Sequence, residues 1–172
     1  MVKYFRIFFS FIFLALLIQN SSAQVSVTAQ VFAEVISSNA ATEVAQLNFG
    51  KFSPGISGGK IIISPQGILT SAGSVVPGAS QHNAGTFNIS GDAAGTFVVS
   101  LPVEPIILTE ISGSKTMQVI DWVSDPPSGS NISLVEGGTQ TVYVGATLVV
   151  GNISDNPSGL YSGAYTITFD YN

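Results

Sequence analysis

Hydrophobic and polar side chains alternate one by one over long stretches of this chain, most cleanly toward its two ends. From Tyr161 onward the odd positions Tyr161, Tyr165, Ile167, Phe169 and Tyr171 are large and apolar, while Ala164, Thr166, Thr168 and Asp170 are small or polar. Successive strand side chains point to opposite faces, so this pattern predicts one half-buried β-strand over 162–171. Residues 140–150 repeat the signature, with Val142, Val144, Ala146, Leu148 and Val150 on one face. A turn over 152–158 joins the two, which predicts a long antiparallel hairpin. The stretch Asn88-Ile-Ser-Gly-Asp-Ala-Ala-Gly-Thr-Phe97 echoes Asn152-Ile-Ser-Asp-Asn-Pro-Ser-Gly-Leu-Tyr161 and reads as a second hairpin of the same kind.

The other alternating stretch is residues 25–36. Val25, Val27, Ala29, Val31, Ala33 and Val35 share one face, and Ser26, Thr28, Gln30, Phe32, Glu34 and Ile36 the other. Twelve residues at about 3.3 Å each reach roughly 40 Å, about twice an ordinary strand. Further strands are expected near 44–49, 59–64, 67–76, 84–90, 95–101, 105–109 and 115–123. Turn clusters such as Ser53-Pro-Gly55, Pro77-Gly78, Gly91-Asp92 and Asn156-Pro-Ser-Gly159 separate them. Turns every eight to twelve residues and no 3.6-residue apolar period indicate an all-β sandwich or barrel.

Residues 1–23 are read as a signal peptide. Lys3 and Arg6 form a positive region, Ile7 to Ile18 an apolar run, and Ser21-Ser-Ala23 a cleavage site. The run is well short of the roughly 20 residues a membrane span needs, so an exported chain from Gln24 without a membrane span is expected. Residues 24–172 would form a single domain. Its three cations, Lys51, Lys60 and Lys115, face ten acids, a formal charge of −7 that argues against nucleic acid and anionic lipid. There is no cysteine, hence no disulfide.

Candidate chemistry is sparse. His82 is the only histidine and sits in a turn-rich segment. No Ser has the surroundings of a nucleophile held beside a base. With one His and no Cys, a zinc site is not expected. Asp121 and Asp125 flank Trp122 and read as solvated acids before they read as a calcium or glycosidase pair. The expectation is no catalytic residue, no metal and no cofactor.

Two sets of residues carry a resemblance. Leu47-Asn-Phe-Gly50, Gly58-Gly-Lys-Ile-Ile-Ile-Ser-Pro-Gln-Gly67, Val144-Gly-Ala-Thr-Leu148 and Tyr161-Ser-Gly-Ala-Tyr165 resemble the bacterial family called domain of unknown function 4402. Gly159 and Tyr171, fourteenth and second from the end with alternating apolar residues between, are similar to the C-terminal motif of chaperone–usher pilus subunits. Many pilins carry a disulfide that this chain lacks. The pilin resemblance implies an immunoglobulin-like antiparallel β-sandwich missing one strand, filled first by a periplasmic chaperone and then by the next subunit in a homopolymer, with an outer-membrane usher as a further partner. It implies a place in the periplasm, in a fimbrium at the cell surface, or outside the cell. Val25, Val27, Ala29 and Val31 would be the donor side chains. Gly159, Tyr161, Tyr165, Ile167, Phe169 and Tyr171 would form the C-terminal receiving edge.

Two other readings stay open. Residues 25–36 can instead be the first strand of a closed sandwich. The domain can also be a surface module for carbohydrate or host protein, using loops 50–58, 77–84 and 124–131, with Trp122 and Tyr143 as candidate ligand contacts.

Overall fold

The computed structural model describes Ser26 and residues 30–34, 38–135 and 138–172. Among them there is no helix, and every strand pairing is antiparallel. A compact unit spans 36–172. Its strands in chain order are β1 (Ala40–Ala45), β2 (Phe52–Ser53), β3 (Gly59–Ile63), β4 (Leu69–Gly73), β5 (Val76–Pro77), β6 (Gly85–Ser90) and β7 (Thr96–Ser100). They continue as β8 (Ile106–Glu110), β9 (Thr116–Asp125), β10 (Asn131–Ser133), β11 (Thr139–Val150), β12 (Tyr161–Ser162) and β13 (Thr168–Tyr171).

The spine is β11. Val142, Val144, Ala146, Leu148 and Val150 are all buried on one face, as the alternation predicts. Both of its edges are occupied. The first half pairs with β6 and the second with β3 along one edge, while β9 runs along the other. The resulting eight-stranded sheet has the path β1-β6-β11-β9-β8-β12, with β3 and β4 continuing beside the second half of β11. A three-stranded sheet, β10-β7-β13, and the short ribbon β2-β5 complete the set. The architecture is that of an all-β, sandwich-like fold.

The buried residues form two clusters strung along β11. In the first, Ile89, Val142 and Val144 of the large sheet meet Phe97, Val99 and Ile132 of the small one, with Phe87, Ile167, Phe169 and Tyr171 packed around them. Phe169 lies 5.9 Å from Phe87 and 6.1 Å from Phe97 between ring centroids, spacings at which tilted rings attract. The second cluster joins Ile61, Ile63, Ala146, Leu148, Val150, Met117 and Val119 to Phe49, Val75 and Ala84. No strand of the small sheet reaches it. That half of the large sheet is roofed by irregular chain instead, and the roof is incomplete.

Several expectations are corrected. Residues 140–150 and 162–171 do not form a hairpin, because β11 has no free edge left for them. The predicted final strand is two strands in different sheets: β12 pairs with β8, and β13 pairs with β7. Residues 163–167 cross between the sheets. The echo over 88–97 is likewise a crossing, from β6 to β7, and not a hairpin. The strand expected at 44–49 lies at Ala40–Ala45. Of the strand expected over 25–36, the described residues Ser26 and 30–34 form none, and Val31 is 93% exposed. Val25, Val27, Ala29 and Val35 lie outside the described residues.

Candidate functional site

The gap in the roof is a groove of about 960 Å³. Its floor is apolar: Ile106 and Leu108 from β8, Met117 and Val119 from β9, and Leu148 from β11. These side chains point inward because alternate residues of β8 and β9 face the core, as the burial of Met117 and Val119 and the exposure of Gln118 show.

Two extended segments form the walls. On one side run residues 46–54. Their hydrogen bonds go outward, away from the second wall's chain: Asn48 exchanges backbone bonds of 2.9 and 3.0 Å with Asn83, the Lys51 carbonyl accepts from Gly78 N–H at 2.8 Å, and β2 pairs with β5. The other wall is residues 156–163. There the Leu160 carbonyl accepts from Ile111 N–H at 2.8 Å, and β12 pairs with β8. β12 ends the path of the large sheet and β2 has β5 alone for a neighbour, so among the described residues each wall has one strand partner and one open edge. An open edge beside an apolar floor is the geometry that accepts an added strand.

The second wall is held by Asn156, only 3% exposed. Its amide donates to the Thr116 carbonyl at 2.8 Å and the Asp155 carbonyl at 3.1 Å, and its Oδ1 accepts from Gly151 N–H at 2.5 Å. One step upstream, Asn152 Oδ1 accepts from the N–H groups of Ser154 and Asp155, closing the turn that launches the wall. Gly163 is needed where the wall approaches β8: a Cβ there would lie 2.5 Å from the Ile107 carbonyl oxygen.

The six residues expected as a receiving edge separate into two groups. Gly159, Tyr161 and Tyr165 line the groove. Ile167, Phe169 and Tyr171 pack into the closed half beneath the small sheet. There the Tyr171 hydroxyl lies 3.0 Å from both the Ala40 and Ser90 carbonyls, tying the β1–β6 edge down, and burial raises its phenol pKa. Gly159 abuts Glu110, whose Oε1 would be 2.7 Å from an added Cβ. The Tyr161 hydroxyl donates to the Pro157 carbonyl at 3.0 Å; burial, then the charge of Glu110, raises its pKa.

Trp122 reaches the groove through a bulge. Thr147 of β11 faces Ile120 and Gly145 faces Val123, so two residues of β9 oppose one of β11. Asp121 takes up the extra residue at φ 52°, and the side-chain phase flips so that Trp122 points inward. Its ring sits 4.7 Å from Tyr165. Tyr165 is driven up to about 12, first by burial and then by the charge of Glu43, with the Leu47 backbone pulling weakly the other way.

Other candidates are not brought together. Tyr143 is 43% exposed on the outer face of β11, between the fully buried Val142 and Val144. It cannot share a ligand with the inward-facing Trp122. Loops 50–58 and 77–84 meet at the first wall, whereas 124–131 contributes nothing to the groove lining. Asp121 pairs with Lys60 at 3.9 Å and Asp125 accepts from Gln66 at 3.2 Å. Among the described residues no group of three or more His, Cys, Asp or Glu side chains could hold a metal, and no helix is long and apolar enough to cross a membrane. Sequence reasoning missed the floor residues, the Asn156 clamp and the bulge; only the turn formers around Asn156 gave any signal.

The described unit is thus an all-antiparallel sandwich-like domain with one groove left open along two strand edges. The family profile described as Domain of unknown function (DUF4402) matches residues 36–171, nearly the whole of that unit. The chain belongs to this family. No curated protein matches it significantly in sequence.

Proposed function

We propose that this protein is an exported, non-catalytic structural subunit that assembles by β-strand donation. The observation that carries this reading is the apolar groove bordered by two one-sided walls. The occupant is residues 24–31 of a second copy, with Val25, Val27, Ala29 and Val31 on the floor and the backbone bonded to the open edges. Two features of the sequence support the match. The segment alternates at the strand period over a length sufficient to reach a neighbour. Among the described residues Lys51 is the one charged residue lining the groove, and Glu34 is the one charged residue in the sequence of 24–36, of opposite sign. In this reading residues 1–23 direct export, a periplasmic chaperone occupies the groove before assembly, and an outer-membrane usher orders the subunits into a surface fimbrium.

The test compares chains beginning at Gln24 and at Phe32 by size-exclusion chromatography with light scattering. The longer chain should form a concentration-dependent ladder, and the shorter should remain a folded monomer. If the longer chain stays monomeric throughout and the shorter loses stability, residues 24–31 belong to a closed sandwich and the proposal is wrong.

A further inference from the structure

The mouth of the groove, where the second wall begins, carries apolar surface that the fold leaves in water. Leu160 is 70% exposed and Ile111 61%. Ile111 N–H donates to the Leu160 carbonyl at 2.8 Å, so the two are neighbours across the β8–β12 pairing. Tyr161 packs against the buried cluster beneath, which turns Leu160, one residue earlier, to the outer face. Of the outward positions Ser158, Leu160 and Ser162, only Leu160 is large and apolar.

The donor segment has a matching residue. With Val25, Val27, Ala29 and Val31 on the floor, Phe32 falls on the opposite face, the side that Leu160 presents. Phe32 is itself 87% exposed. The reach of the chain decides which copy supplies it. Ala40 pairs with Ser90 and Ser90 with Thr139, at the start of β11. Ser162 pairs with Thr109, Thr109 with Thr116, and Gln118 with Val149, so β12 and Leu160 lie level with the other end of β11. The twelve residues of β11 set the two levels about 36 Å apart. The eight steps from Phe32 to Ala40 span at most about 29 Å. Phe32 therefore falls short of Leu160 in its own copy. A second copy placed at the mouth has no such limit. Its strand would run from residue 24 at the Trp122 end to Phe32 at the mouth, antiparallel to the wall 156–163.

We propose that Phe32 of a second copy packs on Leu160 and Ile111 at the groove mouth, an outward anchor that fixes the direction and register of the donated strand. The proposal rests on the strand-donation reading. It adds a specificity element that the floor does not provide. Small aliphatic side chains at every second position fit the floor almost equally well after a slip of two residues. One aromatic ring against one exposed apolar pair removes that degeneracy, and cross-strand neighbours on the same face are close enough to interact.

The experiment uses the chain from Gln24 carrying Val27→Asp and Phe32→Ser, which disable its own donor segment, titrated with a synthetic peptide of residues 24–34. Phe32→Ser in the peptide should weaken binding about fivefold, the upper range for a cross-strand pair. Leu160→Ser in the recipient should do the same without lowering its melting temperature, and the two changes together should cost no more than either alone. A nitroxide at the C-terminal end of the peptide should broaden the amide signals of Ile111 and Leu160. One at the N-terminal end should broaden the indole signal of Trp122, the only tryptophan. Additive losses, no loss, or the reverse broadening pattern overturn the anchor while strand donation stands. A peptide that does not bind at all overturns both. Should Leu160→Ser fail to fold, the broadening pattern in the recipient with Leu160 intact decides alone.

Discussion

Asn156 illustrates how one polar side chain can set the position of a whole wall. Its amide and carbonyl reach β9 through Thr116 and the end of β11 through Gly151, with almost no water to replace either bond. Asn156→Ala leaves the Thr116 carbonyl and the Gly151 N–H without partners. The expected cost is about 2 kcal/mol, read as a lower urea midpoint at unchanged slope. Residues 156–163 should also exchange amide hydrogens faster, while β11 keeps its protection. A substitution with no effect on either would mean that the wall is held by the apolar floor alone. Tyr171 works in the same manner at the other end of the segment, pinning β1 and β6 through its hydroxyl.

At the scale of elements, β9 carries the decisive irregularity. A regular strand would place Trp122 on the outer face; the extra residue at Asp121 turns it inward. Left-handed backbone costs an L-residue about 1–2 kcal/mol, and a β-branched side chain tolerates it least. Asp121→Val should therefore destabilise the domain by about 2 kcal/mol and shift Trp122 emission to the red as the ring loses its buried seat. Asp121→Gly should preserve both properties, since the exposed Lys60–Asp121 pair contributes little. Strand length also explains where the sequence was readable. β3, β6, β7, β8, β9 and β11 fall close to the expected ranges because each is a run of five or more residues rich in apolar and β-branched side chains, bounded by turn formers. β2, β5 and β10 are two or three residues long and leave no period to detect. Within 161–171 the large odd residues Tyr161, Tyr165, Ile167, Phe169 and Tyr171 are half-buried, while Gly163 and the even residues are exposed. Alternation reports which face is buried, however, and says nothing about which sheet provides the cover. The same gap hid the groove. Its floor residues look like any core positions until the missing roof is seen.

For the whole molecule, the account turns on the unequal covering of one long sheet. The β10-β7-β13 sheet closes the half around Val142 and Val144. The half around Leu148 and Val119 is left with two walls and an apolar floor between them. Burying a Val side chain contributes about 1.5–3 kcal/mol, so a strand carrying several at alternate positions would add stability on the scale of the domain's own. That is the physical reason a donated segment can hold subunits together without disulfides, consistent with a chain that has no cysteine.

The absence of cysteine also permits the most direct test. Thr28→Cys and Ser162→Cys in one chain place a thiol on the proposed donor and another on the β12 edge of the groove. Oxidation at low subunit concentration followed by a non-reducing gel reads which copy fills which groove. Strand exchange between copies predicts a ladder of disulfide-linked multimers, abolished by Val27→Asp. A single band of internally bridged monomer, or no bridging at all, would contradict it.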